Sequence, residues 1–151
     1  MPLTWTCEGF EQLGAVRLYA LLRLRSEVFV VEQNCAFLDL DGLDEGALHL
    51  AAWRGAEPVA YARLLAPGVK APTPVISRVI TAPSARATGL GHELNAQAVA
   101  ACERLWPQRG LTLFAQAHLQ GFYGRAGFVG VGEEFMEDGI PHREMQKEAK
   151  Q

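Results

Sequence analysis

Arg86, Gly89 and Gly91 stand at the spacing R-x-x-G-x-G within ARATGLGHEL, between the apolar run PVISRVI and a stretch of helical periodicity. The start of a helix offers N–H groups without intrahelical partners together with the positive end of the helix dipole, and so attracts anions. Glycines there let a phosphate approach the backbone with no Cβ in the way, and Arg86 can add a charge-assisted contact. The chemistry this arrangement suits is pyrophosphate binding. Two better-known phosphate motifs are excluded by spacing. The P-loop pattern G-x-x-x-x-G-K-[ST] is absent, and the dinucleotide fingerprint needs a third glycine where this chain has Leu94. A G-x-G in isolation also suits an ordinary turn with a solvated arginine, so its meaning depends on the elements around it.

Those elements alternate. LTWTC reads as a strand, and LGAVRLYALLRLRSEVFVV as a helix with Val16, Tyr19, Leu22 and, further on, Val28 and Phe29 on its apolar face. ALHLAAW and PVAYARLLA, separated by RGAE, predict a hairpin. PGVKAPTP is a loop because its prolines and glycine sustain neither ladder nor helix, and VISRVIT is the next strand. The helix after Gly91 places Leu94, Ala98, Ala101 and Leu105 on one face until Pro107 stops it. LTLFAQAH, LQGFYGRAG, FVGVGEEFM and HREMQKE then read as strand, short helix, strand and strand. The order predicts a mixed α/β sheet with crossover units in its second half.

Composition narrows the classes. A chain of 151 residues fits one domain that buries roughly 70% of its unfolded surface. Hydrophobic residues make up 49% and charged residues 21%, which argues against disorder. The net charge of −3 gives no general attraction to nucleic acid or to an anionic membrane. No stretch reaches the ~18 apolar residues of a membrane span, and MPLTWTCEGFEQLG lacks the pattern of a signal peptide, so a cytoplasmic location is expected. Cys7, Cys35 and Cys102 lack C-x-x-C spacing and suggest neither a disulfide framework nor a metal site. Cys102 is expected in the core, whereas Cys35 suits either a buried thiol or a nucleophile.

With strand, loop, R-x-x-G-x-G and helix followed some distance on by FYGRAGF, the chain resembles the GCN5-related N-acetyltransferases, the GNAT superfamily. Arg86, Gly89 and Gly91 match the family's Q/R-x-x-G-x-G/A loop, and Phe122, Tyr123, Gly127 and Phe128 match its F-Y-x-x-x-G-F segment. LRSEVFVVEQ, DLDGLDEGALHL and GIPHREM are similar to the ElaA-like subgroup, and the resemblance covers residues 10–147. Gln116 departs from the asparagine of many relatives but keeps the amide.

The resemblance implies a single N-acetyltransferase domain over residues 1–151. Its fold is an α/β one, a mixed, mostly antiparallel sheet flanked by helices, with a splayed central strand pair that holds acetyl-CoA. It implies acetyl transfer from acetyl-CoA, without a metal, to a small-molecule or peptide primary amine in a ternary complex, and a homodimer accords with it. The pantetheine arm is expected along Ile76, Arg78, Val79 and Ile80, because its amides can pair with a strand edge. The N–H of Val79 or Ile80 would face the thioester oxygen. The pyrophosphate is expected over Arg86, Ala87, Thr88, Gly89, Leu90, Gly91 and His92, with Gln116 and Phe122 also at the cofactor. Tyr123 is expected to protonate the leaving thiolate. His118 is expected to serve as base, with His142, Glu32 and Glu133 as further candidates, each equally suited to a capping or solvated role.

Two acidic clusters, Asp39, Asp41, Asp44 and Glu45, and Glu133, Glu134, Glu137 and Asp138, suit a cationic acceptor or simply a solvated surface. The rival to an enzyme is a non-catalytic acyl-CoA sensor that keeps the cofactor site.

Overall fold

The short apolar runs read as strands pair here into one sheet. The computed structural model describes residues 2–149. Its strands are β1 (Thr4–Gly9), β2 (Leu48–Arg54), β3 (Glu57–Leu65), β4 (Val75–Thr81), β5 (Leu111–Gln116), β6 (Val129–Glu137) and β7 (Ile140–Lys147). They lie in the order β1-β2-β3-β4-β5-β7-β6. Every neighbouring pair is antiparallel except β4 and β5, which run parallel and are joined by the crossover helix α2 (Leu90–Leu105). This is the mixed, mostly antiparallel α/β sheet that the pattern and the resemblance predict. No helix among the described residues is long and apolar enough to cross a membrane.

Both faces of the sheet centre are covered, which explains why β2 and β3 read as continuous apolar runs rather than alternating ones. On one face Ala60, Ala62 and Leu64 pack with Leu94 and Ala98 of α2. On the other, Ala51, Trp53 and Tyr61 pack with Leu21 and Leu24 of α1 (Phe10–Arg25). Cys102 lies in the α2 core as expected, and burial pushes its thiol up to about 12.

Two helix faces differ from the sequence reading. Val16 and Tyr19 are 82% and 72% exposed, and the buried stripe of α1 is Leu13, Leu21 and Leu24, continuing to Val28. The segment is apolar on more than one side, so periodicity does not select the buried face; Arg25, fully buried one position after Leu24, does. Gly14, with φ of 74° and ψ of 165°, kinks α1 near its start. After Arg25 the helix loosens into a π-helical segment, Ser26–Glu32, seen in the i→i−5 bonds from Gln33 N to Val28 O and from Cys35 N to Val30 O. In α2, Leu105 is 39% exposed and Cys102 takes the buried position.

The acidic loop that follows is tied down by its carboxylates, although Glu45 stays exposed. Arg25 donates from Nε to Asp39 at 3.0 Å and from Nη1 to Asp44 at 2.6 Å. Arg63 of β3, also fully buried, donates to both Asp41 oxygens at 2.8 and 2.9 Å and to Asp44 at 3.1 Å. Arg78 of β4 reaches Asp39 at 2.7 Å. Three guanidinium groups thus meet three carboxylates, and the loop is fastened to α1, β3 and β4 at once. His49 closes its end. Its Nε2–H donates to the Asp44 carbonyl at 2.9 Å, because a carbonyl only accepts, and its Nδ1 receives the Tyr61 hydroxyl at 2.6 Å. Burial lowers the His49 pKa and so keeps the ring neutral.

Burial by itself would raise the Asp41 and Asp44 carboxyls, but Arg63 beside Asp41, and Arg25 with Arg63 beside Asp44, outweigh it and hold both below their ordinary value of 3.8. A carboxyl depressed in the folded state contributes stability that is complete above its unfolded pKa and is lost as pH falls toward its folded one. Urea denaturation should therefore show stability falling from about pH 4 downward. Asp44→Asn should be less stable at pH 7, by about 3 kcal/mol for a broken buried pair, with a shallower acid fall. Identical acid slopes in the two proteins would contradict this account.

Candidate active site

β4 and β5 share one register pair, Val75 opposite Thr112, and then diverge. Residues Ser77–Thr81 and Leu113–Gln116 become the two walls of a cleft of about 870 Å³. That volume lies within the range of cofactor-sized pockets. Ile76, Arg78, Val79 and Ile80 all line it, as do Arg86, Gly91, Gln116, His118, Phe122 and Tyr123.

The β4 wall is bulged. Tyr61 faces Ile80 and Arg63 faces Ser77, so β4 holds one residue more than β3 over this stretch. Arg78 takes up the difference with a φ of 53°, a conformation that costs a non-glycine residue about 1–3 kcal/mol. Its side chain, bonded to the carboxylate and backbone oxygen of Asp39 and flanked by Phe29 and Phe37, holds it there. A bulge re-aims the backbone groups that follow it, here those of Val79 and Ile80. The Arg78 side chain itself is engaged by the acidic loop rather than free for a ligand.

At the far end of the cleft, the first ladder bond of α2 runs from Glu93 N to Gly89 O. The N–H groups of Leu90, Gly91 and His92 therefore have no partner within the helix. The two glycines serve different ends. Gly89 caps α2 with a φ of 83°, in open space, after Ala87 at 63°. Gly91 has ordinary backbone angles, but a Cβ there would lie 3.3 Å from the Phe122 ring. Thr88 Oγ1 donates to Ala85 O at 2.7 Å and steadies the turn, and the Leu90 side chain is buried in the core. His92 lies outside the cleft walls, against Phe122 and 3.0 Å from Arg125 Nη1.

Arg86 meets Glu32 of the π-helical segment through both carboxylate oxygens, at 2.7 Å for Nη2, and also donates to Thr81 O. The hydrogen bond lowers the Glu32 pKa and raises that of Arg86. Glu32, a candidate base on sequence grounds, is thus the counter-ion of the arginine. Nothing in the spacing signals this pair, since its members are 54 residues apart.

Tyr123, in the short helix α3 (Gln120–Gly124), is buried between Phe122 and Phe128, and burial pushes its phenol up to about 12. β5 ends at Gln116, and His118 lies exposed on a 3₁₀ turn beyond it rather than at the strand end. The Gln116 amide donates to Gln33 at 3.4 Å across the cleft. Sequence reasoning also missed the apolar wall supplied by Phe29, Phe37 and Phe114. Cys35, half-buried, lines the cleft and donates to the Asp138 carbonyl at 3.4 Å. In the first acidic cluster Asp39, Asp41 and Asp44 pair with arginines, Asp41 lining the cleft as well, whereas Glu45 is exposed. From the second cluster Glu137 and Asp138 reach the cleft, whereas Glu133 and Glu134 are exposed on β6.

A sheet opened at its parallel pair, with a turn of bare N–H groups at one end of the opening, is the architecture of the acyl-CoA N-acyltransferases. The family model for the acetyltransferase (GNAT) domain matches residues 26–149, and the chain belongs to that family. It is similar to the protein ElaA of Escherichia coli K12, 42% identical over 148 residues and 97% of each chain. The crystal structure of Escherichia coli ElaA superposes with a TM-score of 0.91 at 41% identity, over 97% of this chain and 100% of that one. An acyl-CoA N-acyltransferase from Pseudomonas aeruginosa gives 0.93 at 49% identity, over 97% and 99%. Within the superfamily the chain falls in the ElaA-like subgroup.

Gly89→Ala should lose about 1 kcal/mol through backbone strain. Gly91→Ala should lose a similar amount by displacing Phe122. Thermal and urea denaturation check both, and an unchanged Gly91→Ala protein would show that the ring yields freely.

Proposed function

We propose that this chain transfers an acetyl group from acetyl-CoA to a primary amine by direct attack within a ternary complex. The observation that carries the reading is the open seam between β4 and β5, which joins the bulged strand, the α2 turn and Tyr123 in one cleft. An extended chain of amides such as pantetheine can lie along the free edge of β4 at Ile76–Ile80 and pair as a further strand would. The pyrophosphate then reaches the turn from Arg86 to His92, where unpaired N–H groups and the helix dipole favour it.

The N–H groups after the bulge, at Val79 and Ile80, are fixed before reaction and suit the oxyanion that forms as the amine attacks. Tyr123 is the proton donor to the leaving thiolate. With a pKa of about 12 its phenol stays protonated across the neutral range. The same desolvation raises the thiol beside it and narrows the difference between the two. Gln116 and Phe122 line the cleft beside the cofactor, Phe122 against Gly91 of the turn, and His118 and His142 are the imidazoles on the cleft wall available to the ammonium. Glu137 and Asp138 give the opening a negative edge that suits a cationic acceptor.

Calorimetric titration of acetyl-CoA should show binding to the wild type and none to a folded Gly89→Glu, Gly91→Glu double variant. Thiol release over a series of primary amines then tests transfer. Tyr123→Phe should lower turnover about 10²-fold with little change in CoA affinity. Binding without turnover for any amine would instead identify an acyl-CoA sensor. Glu32→Gln should tighten CoA binding by up to about fivefold, since Arg86 no longer has to leave an exposed counter-ion worth at most about 1 kcal/mol. Weaker binding in this variant would mean that Glu32 orients Arg86 for the phosphate.

A further inference from the structure

We propose that His142 is the general base that takes the proton from the acceptor ammonium, and that Glu137 is a positioning residue that holds the resulting imidazolium. The inference rests on the transferase reading above. It starts from the β6–β7 hairpin, whose two turn residues, Asp138 and Gly139, both have positive φ, 51° and 76°. That is the tight turn an Asp-Gly pair favours, and it sets the register with Glu137 opposite Ile140 and Phe135 opposite His142. Alternate residues share a face of a sheet, so Phe135, Glu137 and His142 come together. The His142 ring stacks on Phe135, with centroids 6.0 Å apart and planes at 28°.

Two contacts set the ring's chemistry. Nδ1 lies 2.8 Å from the Ile140 carbonyl, which can only accept, so Nδ1 carries the hydrogen and the neutral ring has its lone pair on Nε2. Nε2 lies 3.6 Å from Glu137 Oε2. An ionised carboxylate repels a bare lone pair and attracts an N–H⁺, so this contact becomes favourable only when Nε2 takes up a proton. The arrangement is that of a base with a waiting counter-ion.

Placement agrees. His142 pairs in register with Gln116, the last residue of β5, so it stands at the open end of the seam and lines the same cleft as Tyr123. Its side chain is 12% exposed, whereas His118 lies out on the turn after β5. The protons balance. Nε2 removes one from the ammonium, and the free amine attacks the thioester carbonyl to form the C–N bond. Collapse of the tetrahedral intermediate breaks the C–S bond. The second nitrogen proton is lost as the amide forms, and an equal proton reaches the sulfur through Tyr123. His142 then releases its own to solvent.

Two measurements on the full chain test this. In ¹⁵N-histidine-labelled protein with CoA bound, the His142 signals, assigned by their loss in His142→Gln, should show the neutral Nδ1–H tautomer at pH 8. The Nε2–H tautomer, or an imidazolium at that pH, would overturn the proposal without reference to any acceptor. With the best amine of the series, His142→Gln should lower kcat/KM about 10²- to 10³-fold while acetyl-CoA affinity holds. Added imidazole should restore part of the turnover of His142→Ala, which a structural role would not allow. Transfer undiminished in His142→Gln, or a larger loss in His118→Gln, would remove His142 from the role. If acetyl-CoA binds but no amine is acetylated, the transferase reading fails and takes this role with it.

Discussion

The ion cluster of Arg25, Arg63 and Arg78 with Asp39, Asp41 and Asp44 is the constraint on which the rest of the structure depends. Two of its guanidinium groups are fully buried, so removing any carboxylate would leave the cluster with one positive charge in excess. That requirement turns α1 so that Arg25 points inward and leaves Val16 and Tyr19 outside. It draws the loop after the π-helical segment across the end of the sheet. It also reaches β4 through Arg78, whose positive-φ backbone forms the bulge of the β4 wall. A network of this kind does more for uniqueness than for net stability, since apolar replacements of equal shape can stabilise as well.

From Arg78 the constraint passes to the cleft. The divergence of β4 from β5 leaves backbone groups of both strands without a strand partner along the seam. Unpaired strand edges are usually protected, because they invite association. Here the edge faces an interior cleft, where a ligand with amides of its own can complete it. The loop carrying Phe37 borders the same cleft and is fastened to the same arginine. The β4 wall and the Phe37 wall of the cleft are therefore both anchored on one ion cluster.

The two ends of the cleft differ in physical character. At the α2 end the groups are backbone N–H donors and Arg86, an environment for anions, closed in this structure by the Glu32 carboxylate. At the β6–β7 end they are carboxylates, imidazole and aromatic faces, an environment that favours a cation. Tyr123 and the bulge lie between them, where neither full charge is present and a thioester can be held away from water.

Much of this was legible in the sequence. Element types, the β2–β3 hairpin, the crossover helix and the R-x-x-G-x-G turn all follow from local patterns, because turn chemistry, periodicity and helix starts are properties of neighbouring residues. Strong local motifs also placed Tyr123 and the β4 residues in one region by family resemblance, and the Asp-Gly turn of the last hairpin stands in the sequence as a signal in its own right. What only the tertiary structure decided are matters of pairing between distant residues: which stripe of α1 is buried, that the first acidic run pairs with arginines, that Glu32 faces Arg86, and that His142 stands beside Gln116 on the cleft. Charge, unlike hydrophobic periodicity, carries no mark of its partner, and a carboxylate reads the same in a sequence whether water or a buried guanidinium receives it.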